Sequence, residues 1–139
     1  MNLPVHGVDL VEPARLAAMV ERHGERLLRR VFTEAERAYC EANARRRAEH
    51  YAGRFAAKEA VLKAIGTGWR AGIAWTDVEV TRSTDGAPGL RLCGEAGRIA
   101  DDLGVVSWRI SISHTPTMAM ASVIGVGANT MPLPEAEAP

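Results

Sequence analysis

Lysine is almost missing from this chain. Fifteen of the seventeen lysine and arginine residues are arginine, and the two lysines, Lys58 and Lys63, stand five positions apart. Aromatic residues are also sparse, at 5% of the chain, so aliphatic groups must fill most of any core. The only two cysteines, Cys40 and Cys93, lie far apart without metal-type spacing. That argues against a disulfide framework or a cysteine metal site. No apolar run is long enough to cross a bilayer, and the first residues carry no signal-peptide pattern. A cytoplasmic protein without a membrane partner is expected. Seventeen acidic residues cancel the basic ones to a formal net charge of zero, so no global field points to nucleic acid.

What is present suits one domain. The 139 residues are 47% hydrophobic and 24% charged, ordinary values for a globular chain with a moderate core. "VHGVDLVE" is rich in β-formers and reads as a first strand, with Asp9 on the face opposite Val8 and Leu10. Glu12-Pro13 opens a helix that carries Leu16, Met19, Val20 and Leu27, with Arg15, Arg22 and Arg26 on its polar side. Thr33, followed three residues later by Glu36, forms a capping box that predicts a second helix. "WTDVEVTRS" and "GLRLC" read as strands joined at "TDGAPG", and "GEAGRIADDLG" as a short helix ending at Gly104. "SWRISISH" alternates strictly, setting Trp108, Ile110 and Ile112 against Arg109, Ser111 and Ser113. "TMAMASVI" reads as the closing strand. The expected boundaries are a domain over 1–125 and a disordered, small-residue and Pro-rich tail over 126–139. The class is mixed α/β, of the α+β type.

Both lysines fall in "AGRFAAKEAVLKAIGTG". At helical spacing Phe55, Val61, Leu62 and Ile65 share one arc, while Ala56, Ala57, Ala60 and Ala64 cover most of the opposite side. A helix apolar nearly all round is usually buried. Glu59 and Lys63 occupy the stripe left over, and Arg54 and Lys58 sit within the apolar arc. Buried charges need partners. Two readings fit: intrahelical ion pairs with snorkelling lysine stems, or cations facing a phosphate ligand, for which lysine is an adaptable point charge. The glycines of Gly66-Thr67-Gly68 stop the helix and permit close approach of a ligand. Asp9 is the natural second carboxylate beside Glu59 for a divalent cation, and Mg²⁺ so held takes its other ligands from water and phosphates. A phosphoanhydride substrate follows.

In that order along the chain, "GVDLVEPARL", "RVFTEAERAYC", "GRFAAKEAVLKAIGTG" and "WRISISHT" resemble the holo-[acyl-carrier-protein] synthases, the small 4'-phosphopantetheinyl transferases. The resemblance spans about residues 5–125. It implies a small antiparallel sheet packed against a long helix, in a homotrimer with active sites between subunits. It also implies Mg²⁺-dependent transfer of the phosphopantetheine arm of coenzyme A to a serine of an acyl carrier protein. Asp9 and Glu59 would hold the metal, and Lys63 would contact the pyrophosphate. Ser113 and His114 would lie at the coenzyme site, and Arg45 and Arg46 are candidates for its 3'-phosphate or for a plain solvated helix end. Arg54, Lys58, Gly66, Thr67 and Gly68 complete the coenzyme-binding candidates. Arg15, Met19, Arg22 and Arg26 would dock the acidic carrier, against the alternative of an ordinary amphipathic surface helix. His6 before Gly7 and Pro116 after His114 depart from the usual pattern. The general base stays open. Ala38 stands near the place of a carboxylate on the second helix, Glu36 is a substitute, and a water on the metal or the pyrophosphate itself are alternatives. A non-catalytic coenzyme A or nucleotide-binding module is the rival reading. The carrier served, of fatty-acid or secondary metabolism, is not encoded in these motifs.

Overall fold

The computed structural model of the chain describes residues 3–128. Two antiparallel sheets and five α-helices form. β1 (Val5–Val11), β5 (Ala119–Gly127) and β4 (Val105–His114) make one sheet in the order β1-β5-β4, and β2 (Val78–Arg82) pairs with β3 (Pro88–Leu92) in the other. The chain ends of the larger sheet pair in register, Val8 with Ser122 and Asp9 with Ala121, so the last strand lies between the first and the fourth. α1 (Pro13–His23), α2 (Glu25–Val31), α3 (Glu34–Glu41), α4 (Arg47–Ala64) and α5 (Gly94–Asp102) surround them. None of the described helices is long and apolar enough to cross a membrane.

α4 is the axis of the molecule because its small residues let strands lie almost on its backbone. Ala52, Ala56, Ala57 and Ala60 have no exposed surface, and neither has Val61. Against them passes Gly7 of β1, where a Cβ would stand only 1.9 Å from the carbonyl oxygen of Ala60. Only glycine permits that crossing. The helix ends as the sequence requires. Gly66 takes φ 83°, and the amides of Thr67 and Gly68 both donate to the Leu62 oxygen at 3.1 Å.

The capping box forms as expected, with Thr33 Oγ1 accepting from the Glu36 amide and Glu36 accepting from the Thr33 amide. One expectation fails. The first helix is not continuous, because Gly24 at φ 64° breaks it into α1 and α2. β5 pairs with β4 as far as Gly127, and residues 129–139 of the expected tail lie outside the described residues.

On the larger sheet Gly7, Asp9 and Val11 turn inward to α4, and Val8 and Leu10 turn out. Val8, Leu10, Met120 and Ile124 are 44%, 59%, 40% and 38% exposed. They share one outer face of paired strands, where Leu10 lies opposite Met120 and His6 opposite Ile124. This apolar sheet face is left open in the single chain.

Candidate functional site

Asp9 reaches the site because strand alternation points it at α4 rather than to solvent. Its Oδ1 accepts from Lys63 Nζ at 2.7 Å, while Oδ2 is buried with no hydrogen-bond partner. Lys63 Nζ also donates to the Val8 oxygen at 3.3 Å. Glu59, one turn before Lys63, meets the same aspartate. Burial first, and then the neighbouring Asp9 carboxyl, push the Glu59 pKa up to about 7, against the opposing charges of Lys63 and Arg15. Two carboxyl groups share a half-buried place with too little positive charge, and one of their oxygens has no donor. That donor set fits a divalent cation completed by water and phosphate oxygens. Among the described residues no cluster of three or more His, Cys, Asp or Glu forms, so any cation here would rest on these two protein carboxylates.

The second lysine does something else. Lys58 has no exposed surface; its Nζ pairs with Glu36 Oε1 at 2.8 Å and donates to the Trp75 oxygen at 3.2 Å and to the Val78 oxygen. Glu36 Oε2 accepts from the Val80 amide at 2.9 Å. Lys58 is thus a core tie between α4, α3 and β2, not a coenzyme contact. Glu36, 1% exposed with both oxygens occupied, is no general base for a solvent-side reaction. Intrahelical ion pairing fails as well, since Lys58 and Lys63 each choose a partner from another element. Arg54 is buried too; its guanidinium lies 3.9 Å from the centre of the Tyr39 ring, with Nε unpaired. It lines a cavity of about 320 Å³ with Tyr39, Thr81, Arg82 and Arg91.

The glycine turn behaves in two ways. The amides of Gly66, Thr67 and Gly68 are all consumed in stopping the helix, so none is free for a phosphate. Gly68 nevertheless lines a cavity of about 160 Å³ with Glu59, Leu62, Lys63, Trp69 and Trp75.

A separate cluster occupies the other end of α4. His114 Nδ1 lies 2.6 Å from Glu49 Oε2, and the His114 ring meets His50 edge-on at 5.6 Å. Arg45 and Arg46, on a short 3₁₀ turn, line a cavity of about 580 Å³ with Asn43, Glu49 and Pro116. Ser113 points to the opposite side of β4, toward the outer sheet face. Glu49 and Glu59 stand ten residues apart on one helix, about 15 Å along its axis. The expected coenzyme groups therefore divide into two half-sites that one chain does not bring together. Arg15 lies near enough to Glu59 to lower its pKa, and Arg15, Arg22 and Arg26 are exposed on α1 and α2. Met19 is half-buried against the core, and Arg26 lies beyond the Gly24 break. Sequence reasoning missed Glu49, Tyr39, Trp69 and Trp75; Glu49 and Tyr39 find His114 and Arg54 at a distance along the chain, while the two tryptophans carry no periodic pattern.

A mixed α+β fold with a paired carboxylate site beside a lysine defines the class. The chain belongs to the 4'-phosphopantetheinyl transferase superfamily, whose family model matches residues 6–118, and it is an enzyme of that kind. It is 49% identical over 118 residues to a holo-[acyl-carrier-protein] synthase of Solibacter usitatus, covering 85% of this chain and 94% of that protein. Its fold is similar to the crystal structure of the Helicobacter pylori holo-[acyl-carrier-protein] synthase in complex with coenzyme A. That match has a TM-score of 0.76 and 29% identity, over 87% of this chain and 99% of the other. The Bacillus anthracis holo-(acyl-carrier-protein) synthase, in complex with CoA (3',5'-ADP), matches with a TM-score of 0.72 and 31% identity, over 89% and 96%.

Proposed function

We propose that this chain transfers the 4'-phosphopantetheine group of coenzyme A to a serine hydroxyl of an apo acyl carrier protein, with Mg²⁺ and with release of adenosine 3',5'-bisphosphate. The carrying observation is the meeting of Asp9 on β1 with Glu59 and Lys63 on α4, 50 and 54 residues further along the chain, around a carboxylate oxygen that lacks a donor. In the reaction the serine oxygen forms a bond to the β-phosphorus, and the bond from that phosphorus to the bridging oxygen breaks. The departing bisphosphate takes the electron pair, and the serine proton passes to its phosphate oxygens or to solvent. Asp9 and Glu59 would hold Mg²⁺, which when bound supplies charge neutralisation at the pyrophosphate. Lys63 is exposed on its solvent side and places a positive charge beside that same pyrophosphate, where charge grows as the bond breaks. Arg15 stands at the mouth of the site on the helix whose basic side would receive an acidic carrier.

The two half-sites at opposite ends of α4 support assembly of several copies. One copy's Arg45, Arg46 and His114 would complete the site built on the next copy's Asp9, Glu59 and Lys63, and the open apolar face of β1 and β5 would be the contact. A homotrimer is the form proposed, and the same reading carries a cytoplasmic location. The deciding experiment incubates the protein with coenzyme A, Mg²⁺ and an apo acyl carrier protein and weighs the carrier. A gain of one phosphopantetheine per carrier is expected. No gain on any of several carriers, with coenzyme A still bound, would leave only a binding module.

A further inference from the structure

The sequence after the helix stop holds an aromatic pair that the proposed chemistry does not use. Trp75 is fixed from three sides: its carbonyl accepts from buried Lys58, its ring lies 5.1 Å from the Phe55 ring, and its other neighbour is Trp69. Trp69 stacks on it at 6.0 Å with the planes only 12° apart. Trp69 is nevertheless 46% exposed. A large flat apolar ring is thus held rigidly at the surface on a prepared platform, and no described group covers its free side.

Its position gives the ring a meaning. Trp69 and Trp75 line the 160 Å³ cavity together with Glu59, Leu62, Lys63 and Gly68. Taking the function proposed above as its basis, we infer that this cavity receives the pantoyl segment of coenzyme A. The geminal dimethyl carbon would pack on Trp69 while the adjoining β-phosphate stays at Lys63.

The chemistry of the substrate matches a cavity lined by both a lysine and an indole ring. In coenzyme A the phosphate ester oxygen is followed by one methylene and then by a quaternary carbon bearing two methyl groups. A ligand whose phosphate lies at Lys63 must therefore put a branched apolar group within a few ångströms of it. The cavity suits that branched group but not the whole arm, whose amides and thiol would extend outward toward the carrier. The adenosine bisphosphate half leaves the phosphate on the other side and would not touch the indole. Trp69 accordingly acts as a positioning residue that distinguishes substrate from released nucleotide, since only the former carries the arm.

The test compares two ligands by calorimetry in the presence of Mg²⁺: coenzyme A, and adenosine 3',5'-bisphosphate, which lacks the arm. Removing the contact surface for two methyl groups is expected to weaken binding roughly tenfold. Trp69→Ala should raise the Kd for coenzyme A by that factor, leave the Kd for the bisphosphate within about twofold, and raise KM for coenzyme A more than it lowers kcat. Trp69→Phe, which keeps a stacked ring, should recover most of the loss and guards against a folding defect in the alanine variant. Unchanged coenzyme A affinity in Trp69→Ala, in a wild-type background that binds and transfers, would overturn the arm site and leave the enzymatic reading standing. Equal losses for both ligands in a folded variant would overturn it too. A wild-type protein that binds no coenzyme A would remove both.

Discussion

Lys58 sets its ammonium among oxygens of Glu36, Trp75 and Val78 with no water contact, whereas Lys63 leans on Asp9 with more than half of its side chain in solvent. Burial lowers the Lys58 pKa and the Asp9 hydrogen bond raises that of Lys63, so the same residue type meets opposite environments five positions apart. Lys58→Met leaves the Glu36 carboxylate buried without its cation and should cost about 3–5 kcal/mol in urea unfolding. Adding Glu36→Leu should return part of that loss, because the stranded charge is then gone. Lys63→Arg should keep the stability and lower kcat/KM at least tenfold, since the wide guanidinium fork does not replace a compact charge. The cysteines separate just as sharply. Cys93 is exposed and should react at once with a thiol reagent, while fully buried Cys40 should react only on unfolding. Burial, the largest influence, pushes the Cys40 thiol up to about 12 from 9.0. The unfolded chain therefore loses this proton before the folded one. Below pH 9 the group contributes nothing, and between pH 9 and 12 stability falls as pH rises. The urea midpoint should drop more between pH 8 and pH 10 in wild type than in Cys40→Ala.

Elements are joined here by close approach, and glycines show where. Gly7→Ala would drive a methyl into the Ala60 carbonyl, backbone against backbone, and should cost about 3 kcal/mol or more. Gly24→Ala meets nothing within 4 Å and bears only the strain of φ 64° with ψ −152°, a backbone region essentially reserved for glycine, about 1–3 kcal/mol. The contrast, measured by thermal unfolding, separates a packing glycine from a conformational one. Capping, helix stop and strand alternation at Thr33, Gly66 and Trp108–Ser113 were legible because each depends on neighbours a few residues away. The break at Gly24 was not, since a lone glycine inside a helical pattern is tolerated as often as it interrupts. On α1, Arg22→Glu should raise KM for the carrier about tenfold while leaving KM for coenzyme A unchanged. The wild-type value should itself rise with salt as steering is screened.

At the scale of the molecule the expected site is legible in its members and illegible in its arrangement. Asp9, Glu59 and Lys63 come together; Arg45, Arg46 and His114 gather at the far end of α4, and Lys58 is removed into the core. Replacing Leu10 and Ile124 by glutamate on the open sheet face should convert the proposed homotrimer to a monomer by light scattering. Transfer should be lost with it, although Asp9, Glu59 and both lysines remain. Retention of full activity by that monomer would refute a site shared between copies.

Sequence by itself determined the family, the helix and strand pattern, and the carboxylate pair, because spacing and residue type carry those over short range. Only the tertiary structure decided that one lysine ties the core while the other lies exposed beside Asp9. It alone decided that Glu36 is a buried counter-ion, and that a tryptophan is presented beside Glu59 and Lys63. Those outcomes depend on which distant segment burial brings alongside, and the cost of leaving a charge unpaired makes that choice for each side chain.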